Sequence, residues 1–185
     1  MNFFANLSGY FPWWIPDAAY HALVRCKKGE GLLVDCGAVN NLAGDRWLAR
    51  NSAAASAAGQ GTSVQAIPGK SVEGVGSGTS TIDKVADTPI CLQGGQIGSF
   101  KANIITDSEL PALLGLESLS LNNALIDVVN QKLIFVGPGG YKLQLPPGST
   151  SYNLEKAPSG HLLLPCSRWE ERSSGHKVSG ASVSL

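Results

Sequence analysis

Short apolar runs separated by clusters of Gly, Pro and polar residues fill most of the chain, and this pattern predicts strands rather than long helices. Tyr20–Arg25 and Gly31–Val34 read as two strands, and the polar segment Cys26-Lys27-Lys28-Gly29-Glu30 joins them as a hairpin. Leu32-Leu33-Val34 is apolar without alternation, as expected of a strand covered on both faces, and it stops abruptly at Asp35-Cys36-Gly37-Ala38. One helix is predicted from Arg46 to Ala58, capped by Asp45, favoured by Ala53, Ala54, Ala55, Ala57 and Ala58, and stopped by Gly59. From Val64 onward short strands return, with Thr88–Leu92, Ser99–Ile105, Ala124–Val128, Lys132–Phe135 and Tyr141–Leu145 as the clearest. A short helix is predicted at Leu116–Leu121 and an edge strand at His161–Pro165. The alternating glycines of Ser71–Thr79 read as a mobile hairpin tip. A phosphate loop would need a strand before it, a helix after it and a Lys beside Ser or Thr, and these are missing.

Composition narrows the picture. With 22 Gly, 10 Pro and 43% hydrophobic residues in 185, the expected class is all-β with one or two short helices. Lys plus Arg (14) balances Asp plus Glu (14), so there is no excess of basic charge to hold nucleic acid or an anionic membrane. No apolar run reaches the roughly 18 to 20 residues of a membrane span, and no basic residue precedes an apolar stretch in the first 16. Cys26, Cys36, Cys91 and Cys166 are widely spaced and form no Cys-x-x-Cys pair, which reads as reduced thiols in an intracellular, cytoplasmic protein. The expected organisation is an aromatic arm over 1–19, a domain over 20–146, a C-terminal extension over 147–166 and a disordered tail over 167–185. Phe3, Phe4, Tyr10, Phe11, Trp13 and Trp14 of the arm would dock on the domain, or serve as a hook for a partner.

The chemistry-bearing feature is Asp35. A buried apolar strand delivers its carboxylate onto a tight turn, where it must be hydrogen-bonded or used, and Gly37 lets the backbone approach another group closely. By itself this is equally well an aspartate capping a turn. A second feature lies downstream: Pro111-Ala112-Leu113-Leu114-Gly115-Leu116, an apolar run ending in glycine, leads into the short helix and then Ala124-Leu125-Ile126-Asp127. Each motif is common; their order is specific. In that order Tyr20 to Val136 resembles the retropepsin-like aspartic proteases of retroviral and retrotransposon type, which carry Asp-Thr-Gly or Asp-Ser-Gly, a glycine-rich flap, and a hydrophobic-hydrophobic-Gly run before a helix.

The resemblance implies a small closed β-barrel that works as a homodimer in which each chain supplies one aspartate, with no metal or other cofactor. Asp35 is the only aspartate followed by one residue and then glycine, so one chain holds one such acid. By the resemblance Asp35 is catalytic, Cys36, Gly37 and Ala38 shape its loop, Leu114 and Gly115 support that loop, and Glu73, Gly74, Val75 and Gly76 form the flap over an extended peptide or polyprotein substrate. Cys36 stands where the family has Thr or Ser, and a thiol is a larger and weaker donor. It reads as a buried small hydrophobe, or as a reactive thiol able to pair with its symmetry mate. The rival function is a retropepsin-like module that binds peptides or self-associates without cleaving. A cysteine protease would need His21, His161 or His176 beside Cys36, and a zinc site would need more than the near pair His161 and Cys166.

Overall fold

The computed structural model describes residues 24, 26–73 and 79–166. Its elements are β1 (Leu32–Val34), β2 (Leu42–Gly44), α1 (Asp45–Ala57), β3 (Ser63–Glu73), β4 (Thr79–Cys91), β5 (Ile97–Ile105), β6 (Ala112–Leu114), α2 (Leu116–Leu121), β7 (Ala124–Asp127), β8 (Lys132–Phe135), β9 (Glu155–Lys156) and β10 (Leu162–Leu163), with a 3-10 turn at Gln93–Gly95. Among the described residues the protein is mostly β with two α-helices. The backbone divides into two compact units, 1–118 and 119–185.

The first unit carries a six-stranded sheet in the order β1-β6-β2-β5-β4-β3. β1 pairs parallel with β6, β2 parallel with β5, and the remaining neighbours are antiparallel. No closed barrel is found among the described residues: β1 and β3 end the sheet, and no pairing joins them. Proline placement follows from this order. Pro68 lies on the end strand β3, where the register shifts between Ala66 and Lys70. Pro89 lies beyond the last β3 residue paired to β4, so its missing N–H leaves no ladder bond unmade on that side.

Alternation along β5 buries Phe100, Ala102 and Ile104 together, and the same face collects Ala43, Trp47, Leu48, Ala86 and Ala112. Trp47 of α1 meets Phe100 edge to face, centroids 5.7 Å apart. The opposite set, Ile82, Ile105, Leu110 and Leu113, gathers partly buried Ala38, Leu42, Ile67 and Val72. Adjacent residues (Ile104 and Ile105, Ala112 and Leu113) therefore serve different clusters, and the sheet is covered on both sides near β2 and β6. A half-buried polar chain centred on the buried Thr88 fastens α1 to β4. Asn51 Nδ2 donates to Thr88 Oγ1 (3.0 Å) and to the Pro89 carbonyl (3.0 Å), and Thr62 links Thr88 to Ser52.

The Ala-rich helix forms where the sequence predicts it, shifted one residue toward the N-terminus and of the same length, and Gly59 follows at φ +75°. Its cap differs. Gly44 occupies the cap position, and a Cβ there would run into the Ser108 carbonyl. Asp45 instead accepts the N–H groups of Asp107 (2.9 Å, Oδ2) and Ser108 (3.0 Å, Oδ1), which holds Asp107 at φ +54°. Burial works to raise the Asp45 carboxyl, but these backbone donors outweigh it and leave the pKa below the usual carboxylate value.

In the second unit, β7 and β8 form a hairpin with Ala124 opposite Phe135 and Asp127 opposite Lys132. Asp127 closes its turn by accepting from the Asn130 side chain (2.7 Å) and N–H (3.0 Å), which lowers its pKa. β9 and β10 form a second short pair, so the edge strand predicted at His161–Pro165 exists as Leu162–Leu163. Tyr141–Leu145, predicted as a strand, is irregular. Its flanks, Gly139-Gly140 and Pro146-Pro147, break the backbone on both sides, and among the described residues no partner strand receives it. Among the described residues no helix is long and apolar enough to cross a membrane. The predicted arm (1–19), strand Tyr20–Arg25 (except Val24) and tail (167–185) lie outside the described residues.

Asp45→Ala is expected to lower unfolding stability by about 1–2 kcal/mol at pH 7, read by urea denaturation, because two backbone donors lose their acceptor. The folded pKa is depressed, so this contribution is full above the unfolded value near 4 and fades as pH falls through the folded one. The difference between wild type and variant should therefore shrink at pH 3; an equal difference at both pH values would show that the carboxylate charge is irrelevant.

Candidate active site

The loop 35–41 joins β1 to β2, two strands that lie on either side of β6. β1 runs in register with β6, Leu32 beside Ala112, Leu33 beside Leu113 and Val34 beside Leu114. The Asp35 N–H then donates to the Leu114 carbonyl at 3.1 Å, which extends that ladder to the base of the acid. The Ala38 N–H donates to the Asp35 carbonyl (3.3 Å) and closes the turn. The Asp35 side chain bends onto its own turn, Oδ1 accepting the Gly37 N–H at 2.8 Å. Asp35 is half-buried, whereas Cys36 and Gly37 are exposed. The acid therefore stands at an accessible tip on a rigid base.

The second half of the loop supplies carbonyls to the start of α2. The Leu116 N–H donates to Ala38 (2.8 Å) and the Glu117 N–H to Val39 (2.9 Å), so two of the four first-turn donors are satisfied by loop backbone. Between them Gly115 passes so close that an added Cβ would lie 2.6 Å from the Asn40 oxygen and 3.0 Å from the Ala38 oxygen. The Gly115 N–H donates to Asn41 Oδ1 at 2.8 Å, and Asn41 Nδ2 donates to the Lys101 carbonyl at 2.9 Å. Asn41 also accepts the Asn103 N–H on its own carbonyl, 3.1 Å. Asn40 and Asn41 escaped sequence reasoning, since a polar pair before an apolar strand looks like any loop end; only the fold shows what lies across from them.

Of the residues singled out from sequence, Asp35, Cys36, Gly37, Ala38, Leu114 and Gly115 lie together here. Glu73 ends β3 with its backbone opposite Thr79, and Gly74, Val75 and Gly76 fall outside the described residues. Cys36, the candidate buried hydrophobe, is instead exposed, because the turn directs position 36 away from the clusters under Ala38 and Leu42. Cys26, Cys91 and Cys166 are likewise free and exposed thiols. His161 lies in the second unit, its Nδ1 2.9 Å from Ser159 Oγ, and His21 and His176 lie outside the described residues. Among the described residues no three His, Cys, Asp or Glu side chains assemble into a set that could hold a metal ion.

A separate cavity of about 260 Å³ lies beside Leu32, Leu33, Trp47, Arg50 and Glu109, and no residue of the acid loop lines it. Arg50 ties that region together, reaching Glu30 (2.7 Å) and Glu109 (3.1 Å). The hydrogen bond to Glu30 raises the Arg50 pKa, and the hydrogen bond from Arg50 lowers that of Glu109.

No protein-family model matches the chain, and no curated protein matches it. Among solved structures, the chain is similar to the retroviral protease-like domain of Ddi1 from Leishmania major, at 23% identity over 56% of this chain and 76% of that one, with a TM-score of 0.40. At that level the likeness is one of partial backbone overlap and says nothing of activity.

Gly115→Ala is expected to destabilise the first unit by about 2 kcal/mol or more, because both neighbours of the new methyl are backbone that cannot rotate away. Chemical denaturation measures this directly. A loss below about 0.5 kcal/mol, the scale of an ordinary surface change, would mean that the loop and α2 separate easily.

Proposed function

We propose that this chain is a retropepsin-like aspartic endopeptidase that works as a homodimer. The observation that carries the reading is the mounting of Asp35: a lone carboxylate on a turn whose base is hydrogen-bonded to β6 and whose far side rests on Gly115. One carboxylate cannot be both the base that activates water and the acid that protonates the scissile carbonyl oxygen at the same moment. A second copy related by a two-fold axis supplies the missing group without any new sequence.

Two carboxylates about 3 Å apart cannot both be ionised, so the pair shares one proton. The ionised Asp35 takes a proton from a water held between the two acids, and the protonated mate donates to the scissile carbonyl oxygen. The tetrahedral species then collapses with transfer of a proton to the leaving amine. The Gly37 N–H, bonded to Oδ1, holds the carboxylate in one rotamer and so fixes where the water sits. In this reading Glu73, Gly74, Val75 and Gly76 close over the substrate, an extended peptide or polyprotein segment paired strand-wise with backbone groups. In this reading the six-stranded sheet belongs to a small β-barrel. Location in the cytoplasm fits free, exposed thiols at Cys26, Cys36, Cys91 and Cys166.

The exposed Cys36 favours a second reading, a peptide-binding or self-associating module of the same fold that does not cleave. A thiol braces two apposed loops less firmly than a hydroxyl, and catalytic groups out of place lose rate steeply.

Incubation of the full chain with a mixed peptide pool from acidic to neutral pH separates the two. Cleavage that falls at least about 100-fold in Asp35→Asn, with the circular dichroism spectrum unchanged, is the expected result. Cys36→Thr should raise the rate. Peptide binding that survives Asp35→Asn, with no cleavage by either form, would overturn the enzyme in favour of the module.

A further inference from the structure

Between β6 and β5 lies β2, so no backbone hydrogen bond can join those two strands directly. One side chain does. Asn41, the residue just before β2, reaches Gly115 at the end of β6 with its amide oxygen and Lys101 of β5 with its amide nitrogen. The orientation of the amide is dictated by its partners, because a backbone N–H can only donate and a carbonyl can only accept. Asn is the short side chain that offers one donor and one acceptor at this spacing. Asp offers two acceptors, Leu offers neither, and Gln places the same groups one carbon farther out.

The consequence reaches the acid. Gly115 is the residue against which the carbonyls of Ala38 and Asn40 are pressed, and the Leu114 carbonyl beside it holds the Asp35 N–H. Fixing Gly115 relative to β5 therefore fixes the floor under the whole turn. β5 is also the strand that carries β4 along nearly its full length, from Ile97 opposite Cys91 to Ile105 opposite Ile82. The Asn41 amide thus connects the strand beneath the acid to the strand on which β4 is paired.

We propose that Asn41 is a positioning residue, a two-ended amide clasp that sets the height of the Asp35 turn relative to β5. Its catalytic meaning rests on the reading of Asp35 as the catalytic acid; its mechanical meaning does not.

The variant Asn41→Asp isolates the clasp. When ionised, the introduced carboxyl keeps an acceptor for the Gly115 N–H but turns a negative oxygen toward the Lys101 carbonyl. When protonated, it again offers one O–H donor and one acceptor. The clasp should therefore open at neutral pH and re-form once the pH falls below the carboxyl pKa, ordinarily near 4.

Amide hydrogen exchange of the full chain reads this without any activity. At pH 7 the Gly115, Leu116 and Glu117 amides of Asn41→Asp should exchange about five- to tenfold faster than in wild type, the size expected for one lost hydrogen bond. The Ala86 and Ala102 amides in the middle of β4 and β5 should be unchanged. Below pH 4, with intrinsic rates corrected, the difference should vanish. Asn41→Leu should show the faster exchange at both pH values. Equal protection in wild type and Asn41→Asp at pH 7, or faster exchange that acid does not reverse, overturns the clasp.

On the peptide substrate, kcat of Asn41→Asp should fall at least about tenfold at neutral pH, with KM within about twofold. An unchanged kcat in an active wild type overturns the positioning role even if the exchange result holds. A wild type with no Asp35-dependent cleavage defeats the protease reading alone, and the exchange experiment still decides the clasp.

Discussion

A backbone segment that has no room for a side chain governs this molecule. Where β6 ends, Gly115 slides under the carbonyls of Ala38 and Asn40, and the chain then turns into α2 with Ala38 and Val39 as acceptors for its first donors. Every atom of that contact is main chain, so it is stiff and its geometry is set by strand register rather than by rotamers. Asp35 inherits that stiffness through its N–H to Leu114. Strip the contact away and the acid becomes an ordinary loop residue, mobile enough that a water beside it would have no fixed address.

The rest of the first unit serves to keep β2 and β6 in place. β2 is three residues long and β6 is three residues long, too short to hold register alone. Their neighbours compensate on both sides. Ala43 and Ala112 are completely buried under α1, Trp47 and Phe100, while Leu113 and Leu42 pack into the opposite cluster with Ile82, Ile105 and Leu110. Small residues on the helix side let α1 approach closely, and large ones on the other fill the space beneath the loop. The Asp45 carboxylate pins the loop before β6 to the start of α1, so the helix continues covalently from β2 and is tied by hydrogen bonds to the segment that leads into β6.

What could be read from the residues divides along a physical line. Local signals were legible: the alanines of α1, the alternation of β5, the turn between β7 and β8, and the abrupt end of Leu32-Leu33-Val34 at Asp35. Elements that exist because a distant partner holds them were not. Leu42–Gly44 has no periodicity, and Ala112–Leu114 reads as an apolar run rather than a strand until β1 and β2 are seen on either side of it. Tyr141–Leu145 fails in the opposite sense, with strand-like alternation and, among the described residues, no strand to pair with. The acid turn showed its residue types but not its support, since Asn41 acquires meaning only when Gly115 and Lys101, 74 and 60 positions away, come within reach of one amide.

The account turns on whether two such acids meet. A crystal structure of the assembled protein, with the separation of the two Asp35 carboxylates as the quantity read, tests this most directly. The account predicts a two-fold axis between the acid turns and carboxylate oxygens about 3 Å apart. Asp35 facing open solvent in every assembly, or lying more than about 10 Å from its symmetry mate and thus beyond any shared water, would contradict it.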